Sequence, residues 1–223
     1  MGKSILSVIS RLIFPPRCIV CGELLYENET EPLCGGCREK TRFINGTVPR
    51  ADADITVASA VYYMPPVKAA LVNVKSNEDV YKIKGLALLS ARAAGRAYRG
   101  KRFDIIAVVP SSKKSVRAAG FDRMDTYGRA LSRELKIKYE KRALIKTRET
   151  KKQHTLSAME RLSAQKGAYA ASPRVKGRRV LLFDDIVTTG ATLSECARAL
   201  RAAGAAEVCC LTAAATMRSP KKE

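Results

Sequence analysis

Short apolar runs alternate with longer amphipathic stretches along most of this chain. Ile55 to Tyr63, Ile105 to Val109, Ala143 to Ile145, Val180 to Phe183 and Val208 to Leu211 read as strands. Between them Asp79 to Tyr98, Phe121 to Leu135, Ser157 to Ala168 and Ala191 to Ala203 read as helices. Strand and helix in alternation predict an α/β fold, a mostly parallel sheet flanked by helices on both faces. Such sheets bind ligands beyond the carboxyl ends of their strands, so the segments leaving those ends are where chemistry is expected.

Near the amino terminus the pattern is different. Ser4 to Phe14 is apolar on one helical face, through Ile5, Val8, Ile9, Leu12 and Ile13, and is expected to be a short docking helix. It is too short for a membrane span, is interrupted by Arg11 and lacks the small-residue cleavage pattern of a signal peptide, so a cytoplasmic protein without a membrane span is expected. The chain divides into residues 1–45, this helix with a small cysteine lobe, and residues 46–223, the α/β domain.

Cys18, Cys21, Cys34 and Cys37 form two C-x2-C pairs separated by twelve residues. Each pair lets two thiolates approach one ion from a tight turn, and four sulfurs close a tetrahedron. An iron-sulfur cluster also uses four cysteines, but the ribbon-like spacing favours Zn2+, held structurally because no coordination position is left for substrate. The loop between the pairs carries Glu23, Glu27, Glu29 and Glu31 and no basic residue. With four thiolates beside it, this lobe repels phosphate and suits docking or scaffolding. Cys196 falls on an apolar helical face, and Cys209 and Cys210 are strand neighbours that point to opposite sides. His154 lies in a polar segment and reads as a solvated loop side chain.

Charge changes the picture further. Against 41 Lys and Arg stand 21 Asp and Glu, a net charge of +20 that points to an anionic partner. Residues 1–50 hold only 7 basic and 5 acidic side chains, so the excess belongs to the large domain. Basic clusters lie at Arg96, Arg99, Lys101 and Arg102, at Lys136, Lys138, Lys141, Arg142 and Lys146, and at Arg174, Lys176, Arg178 and Arg179. They are compatible with a nucleic acid bound through its backbone, or with a basic surface that has no nucleic-acid partner. With no Trp, 8 Tyr and 5 Phe, base stacking has few platforms.

The most informative stretch is Val180 to Thr192, an apolar strand that ends on Asp184 and Asp185 and turns through Thr188, Thr189, Gly190, Ala191 and Thr192 into a helix. Backbone N–H groups converging at that helix start form an anion cradle, and the threonine hydroxyls add donors. Two carboxylates beside the cradle would repel a phosphate but suit sugar hydroxyls or hydrated Mg2+. Phosphate on the loop and hydroxyls on the acids describe a ribose 5-phosphate. The lysine and glycine spacing of a Walker loop is missing. Incidental Asp and Thr caps would not explain paired acids at the end of an apolar strand.

Leu181 to Thr192 resembles the phosphoribosyl pyrophosphate (PRPP) motif of type I phosphoribosyltransferases, and with the cysteine lobe in front the chain resembles the ComF family from Pro15 to about Thr216. The resemblance implies a type I phosphoribosyltransferase fold with a small N-terminal zinc-binding lobe. It also implies pentosyl transfer from Mg-PRPP to a nitrogenous acceptor and an association with competence and DNA uptake. By the same resemblance Asp184 and Asp185 contact the ribose at the catalytic centre, and Thr188 to Thr192 hold the 5-phosphate. Ser111, Ser112, Lys113, Lys114 and Arg117, in a loop after the second strand, face the pyrophosphate. Arg148, Thr150, Gln153 and Arg161 belong to a flap, and Lys75 resembles the family's lysine near the start of the domain. The family's Arg-Gly-Phe-Asn-Gln reads Ala119-Gly120-Phe121-Asp122-Arg123 here, and its Asn three residues after Arg161 is Ala164. One expected cation is therefore missing, and the alternative the resemblance implies is a single-stranded DNA-binding competence module, or a scaffold for another competence or replication protein, that keeps the fold with little or no transferase activity.

Overall fold

A computed structural model describes residues 15–25, 31–50, 54–72, 74, 80–148 and 165–217. The expected helices at Ser4 to Phe14 and at 157–164, the residues Lys75, Thr150, Gln153, Arg161 and Ala164, and His154 lie outside these residues.

Six strands build the main sheet. They are β1 (Thr47–Arg50), β2 (Ile55–Tyr62), β3 (Ile105–Val108), β4 (Lys138–Tyr139), β7 (Arg179–Val187) and β8 (Glu207–Ala215), in the order β1-β2-β8-β7-β3-β4. Only the β1–β2 pair is antiparallel. Helices α3 (Val80–Ala97) and α5 (Arg123–Leu135) cover one face, and α6 (Ala191–Ala202) covers the other. Two short helices, α1 (Gly35–Lys40) and α2 (Val67–Val72), complete the amino-terminal half. Among the described residues no helix is long and apolar enough to cross a membrane.

The core follows from alternation along the central strand. Leu181 and Phe183 pack toward α3 and α5, Val180 and Leu182 toward α6, and all four are at most 1% exposed. Each such side chain contributes on the order of 1.5–3 kcal/mol through burial. Cys209 and Cys210 pack in the opposite clusters, as strand neighbours must, and Cys196 is buried on α6. At the amino ends of β3 and β7, Asp104 accepts from Arg179 N, Nε and Nη2 at 2.8, 3.1 and 2.7 Å. The guanidinium holds that carboxyl well below the usual carboxylate range, so the latch is present at neutral pH and lost only in strong acid.

Several elements differ from the sequence expectation: β1, β4, α1 and α2 are short elements it did not include, and three further differences have clear causes. Lys113–Ala119, expected as a loop, forms helix α4, capped by the Ser112 hydroxyl and ended by Gly120 at φ 73°. It buries no residue, so it leaves no apolar periodicity to read. Strand β7 runs to Val187 rather than Phe183, because its ladder to β8 continues past the acids, with Asp184 opposite Thr212 and Val187 opposite Ala215. The segment near Ala143 forms β5 (Leu144–Lys146), which leaves the main sheet and pairs antiparallel with β6 (Tyr169–Ala171), a strand too short to signal itself.

The cysteine lobe docks on α3. Ile19 and Leu33 are each 1% exposed and join the cluster beneath α3 and α5. Contact is close because α3 carries Gly85 there: a Cβ at that position would lie 2.3 Å from Ile19 Cγ2 and 2.9 Å from Pro32 Cβ. The chain then reaches the sheet directly, with Ile44 N donating to Ala60 O and Tyr62 N to Arg42 O. Gly85→Ala is expected to lower stability by about 1–3 kcal/mol through overpacking, read as an earlier thermal transition by circular dichroism.

Candidate functional site

At the amino terminus, the four cysteine Sγ atoms lie within 4.8 Å of one another, and Cys21 Sγ is 3.6 Å from Cys34 Sγ. A tetrahedron with Zn–S bonds of about 2.3 Å has S···S edges of ~3.8 Å, so the donor set fits zinc. Gly22, at φ 79°, turns the first knuckle, and its N–H donates to Cys18 O at 2.9 Å. The second knuckle is the start of α1, with Cys34 as its N-cap. Burial works against ionising Cys18, but N–H groups of Cys21, Cys34 and Val20 pull its thiol down to about 7. Burial and the neighbouring sulfurs push Cys37 up, a crowding of thiolates that a dication relieves.

The second site lies at the carboxyl ends of β3 and β7. Phe183 and Ile186 both pack toward α3 and α5 although three residues apart, so the alternation slips by one across Asp184 and Asp185. Asp185 N donates to Asp184 Oδ1 at 2.9 Å. Burial, then the neighbouring Asp185 charge, push the Asp184 carboxyl well above the usual carboxylate range. Beyond the acids the chain turns at Gly190, φ 88°, into α6. Ala191 N donates to Thr189 Oγ1 at 3.4 Å, and Asp184 together with Ile186 to Leu193 lines an open hollow at the helix start. An anion cradle and a carboxylate thus share one wall.

The opposite wall is the start of α5. Asp122 caps that helix, accepting from Met124 N at 3.0 Å and Asp125 N at 3.3 Å, and its Oδ1 also takes the Ser111 hydroxyl at 2.8 Å. Arg123 Nη2 lies 3.9 Å from Asp185 Oδ2. Below them Tyr127 stacks against Phe183, ring centroids 5.0 Å apart, and burial together with the Asp185 charge raises its phenol.

The structure thus brings Asp184, Asp185, Thr188 to Thr192 and Ser111 to one end of the sheet. Ser112 is engaged as the α4 cap, accepting from Ser115 N at 3.0 Å, while Lys113, Lys114 and Arg117 lie exposed on α4. Arg148 Nη2 donates to Lys166 O at 2.6 Å at the foot of the β5–β6 hairpin. That hairpin is clipped to α6 by Gly167 N donating to Glu195 Oε1 at 2.7 Å. Arg123 and Asp122 were missed as site residues, being legible only as departures from the family pattern. The one available signal was Asp-x-x-Asp at Asp122 and Asp125, the mark of a helix start.

Some members of each basic cluster lie at the other end of the sheet. Arg102 precedes β3, Lys136 precedes β4, and Lys176 and Arg178 precede β7, which places all four at the amino ends of parallel strands. They carry no ion pair among the described residues, whereas Lys101 pairs with Glu207, Lys141 with Asp125 and Arg174 with Glu140.

A parallel sheet with an acid pair and a helix-start cradle at its carboxyl edge, behind a four-cysteine lobe, is the plan of a phosphoribosyltransferase-type protein with a zinc ribbon. The phosphoribosyl transferase domain family matches residues 76–223, and the double zinc ribbon domain matches residues 9–50. DNA utilization protein YhgH of Escherichia coli (strain K12) is 32% identical over 194 residues, covering 86% of this chain and 80% of that protein. Competence protein F of Haemophilus influenzae is 28% identical over 200 residues, covering 86% and 82%. Among solved structures, an allosteric regulatory enzyme of purine biosynthesis is 26% identical with a TM-score of 0.39; the match covers 59% of this chain and 25% of that one. The chain belongs to the phosphoribosyl transferase domain family and is a ComF-type member of it with a structural zinc ribbon.

Two outcomes test these sites. Stripping zinc with a chelator, or Cys34→Ser, should release one equivalent of metal by native mass spectrometry and lower the melting temperature, because the lobe packs into the core. Asp184→Asn should raise the melting temperature at pH 7 by about 2–4 °C, the effect of ~1 kcal/mol in a chain this long. The sign follows from the raised carboxyl: its stabilising protonated form is lost as pH climbs from the unfolded value toward the folded one, and Asn removes that loss.

Proposed function

We propose that the carboxyl edge of the sheet binds Mg-PRPP and that the protein transfers its phosphoribosyl group to a nitrogenous acceptor. The observation that carries this reading is the shared wall of Asp184 and the Thr188–Thr192 turn, with Asp185 next to Asp184 in the chain and donating its N–H to it. A 5-phosphate rests on the N–H groups of that turn and on Thr188 and Thr192. The two carboxylates accept from the ribose hydroxyls and fix the sugar so that its C1 faces the acceptor. The bond from C1 to pyrophosphate breaks, its electron pair leaving with the pyrophosphate. A bond from the acceptor nitrogen to C1 forms, and the nitrogen gives its proton to solvent. Mg2+, when bound, neutralises the pyrophosphate, and the acid pair with space for water fits that hard ion. Ser111, Lys113, Lys114 and Arg117 flank the side of the site where pyrophosphate leaves, where stabilising developed charge is usually the largest electrostatic contribution. The work is done in the cytoplasm.

A second reading is favoured by the unpaired cations at the amino ends. There a single-stranded nucleic acid would run along Arg102, Lys136, Lys176 and Arg178, on the edge opposite the ribose phosphate site. Its binding would weaken steeply with salt and be indifferent to Asp185.

Calorimetric titration of PRPP with Mg2+ into the purified protein, with Asp185→Ala beside it, tests the first reading. Saturable binding that weakens at least ~10-fold in the variant is expected, one charge-assisted contact having been removed. A folded, zinc-loaded wild-type protein that binds no PRPP overturns it.

A further inference from the structure

Arg123 is in an electrostatically unfavourable place. It is the first residue of α5, and a helix start carries partial positive charge that disfavours a cation. The acid expected near a helix start is already there: Asp122 caps the helix with its carboxylate committed to two N–H groups and the Ser111 hydroxyl. Helix stability therefore does not account for Arg123.

Its surroundings do. β3 and β7 are hydrogen-bonded neighbours, and the ladder is prolonged by Val109 N donating to Phe183 O at 2.9 Å. The Ser111–Asp122 hydrogen bond holds the start of α5 against the segment leaving β3, while Arg123 reaches Asp185 near the carboxyl end of β7. The guanidinium thus lies between the acid pair and the Ser111 segment, on the side of the site where the reading above places the pyrophosphate. At 31% exposure it keeps an open side toward solvent beyond its contact with Asp185. Its charge is felt within the site as well, opposing the upward push on Asp184 and on Tyr127. Ala119, where the family pattern has a cation, lies on α4 with no charge to offer.

We infer that Arg123 is a substrate-binding residue for the diphosphate group: it serves Asp185 as counter-ion in the free protein and supplies the cation that Ala119 lacks when the ligand binds. The inference rests on the Mg-PRPP reading and adds a residue to it. A planar guanidinium suits the role because it can face a carboxylate and a diphosphate oxygen together. Binding of the diphosphate then frees Asp185 for the ribose, which links the two halves of the site through one side chain.

The test is calorimetric titration of wild type, Arg123→Gln and Arg123→Lys with PRPP, inorganic pyrophosphate and ribose 5-phosphate, each at fixed Mg2+. The expected result is a loss on the order of 10-fold to 100-fold in affinity for PRPP and pyrophosphate in Arg123→Gln, with partial recovery in Arg123→Lys. Ribose 5-phosphate, which has no diphosphate, should bind all three proteins within about 3-fold of one another, and that arm also shows that the variants are folded. Wild-type binding of PRPP with unchanged or tighter binding in Arg123→Gln overturns this inference and leaves the Mg-PRPP reading standing. A parallel loss for ribose 5-phosphate overturns it too, since Arg123 would then only position Asp185. No wild-type binding of PRPP overturns both readings.

Discussion

Val180 to Phe183 are buried on both faces of the sheet, and the next two residues are carboxylates of the same strand, Asp184 paired opposite Thr212 and the ladder continuing past Asp185 at Ile186 opposite Ala214. That abrupt change from apolar to charged, within one continuous strand, is the constraint on which the rest depends. The apolar part anchors α3 and α5 on one side and α6 on the other. The ladder then carries Asp184 and Asp185 to a fixed position at the carboxyl edge, where a helix start and the head of a second helix meet them. A loop could not hold two like charges so close, because repulsion would part them; here the β8 register opposes that movement.

Close carboxylates carry an electrostatic penalty, visible in the upward push on Asp184. Such strain is common where a protein prepares a charged site before its ligand arrives. The surroundings relieve part of it: Asp185 N donates to Asp184, and Arg123 faces Asp185. At the amino edge Arg102, Lys136, Lys176 and Arg178 carry no ion pair among the described residues. One sheet therefore presents two electrostatically different edges, a mixed-charge one at its carboxyl ends and a basic one at its amino ends.

The zinc lobe belongs to the core of the molecule as much as to its surface. Ile19 and Leu33 enter the same cluster as Leu181 and Phe183, and Gly85 removes the side chain that would hold the lobe away. Metal binding and the packing of the main sheet are consequently linked, although the ion itself would sit far from the acids in sequence. Docking also carries charge across the contact, with Glu31 of the lobe 3.7 Å from Arg92 Nη1 on α3 and 3.1 Å from Arg38 Nε within the lobe itself.

Periodicity alone was sufficient for the parallel α/β architecture, because Val180 to Phe183, Ile105 to Val108 and the face of α6 are buried by that same periodicity. Local spacing was sufficient for the four cysteines and for the acid pair with its threonine turn, since their chemistry acts within a few residues. Helix α4 was illegible because it buries nothing, β6 because it is three residues long, the departure of β5 from the main sheet because its partner is that short strand, and the far end of β7 because charge ends a hydrophobic run before it ends a ladder. The role of Arg123 was hidden for a different reason. In sequence it is only a departure from a pattern, 62 residues from Asp185, and the contact exists because β3 and β7 are neighbours and Ser111 ties α5 to their ends. What a residue does within its own turn or strand is written in its neighbours in the chain; what it does across strands waits on register and packing, which only the folded sheet decides.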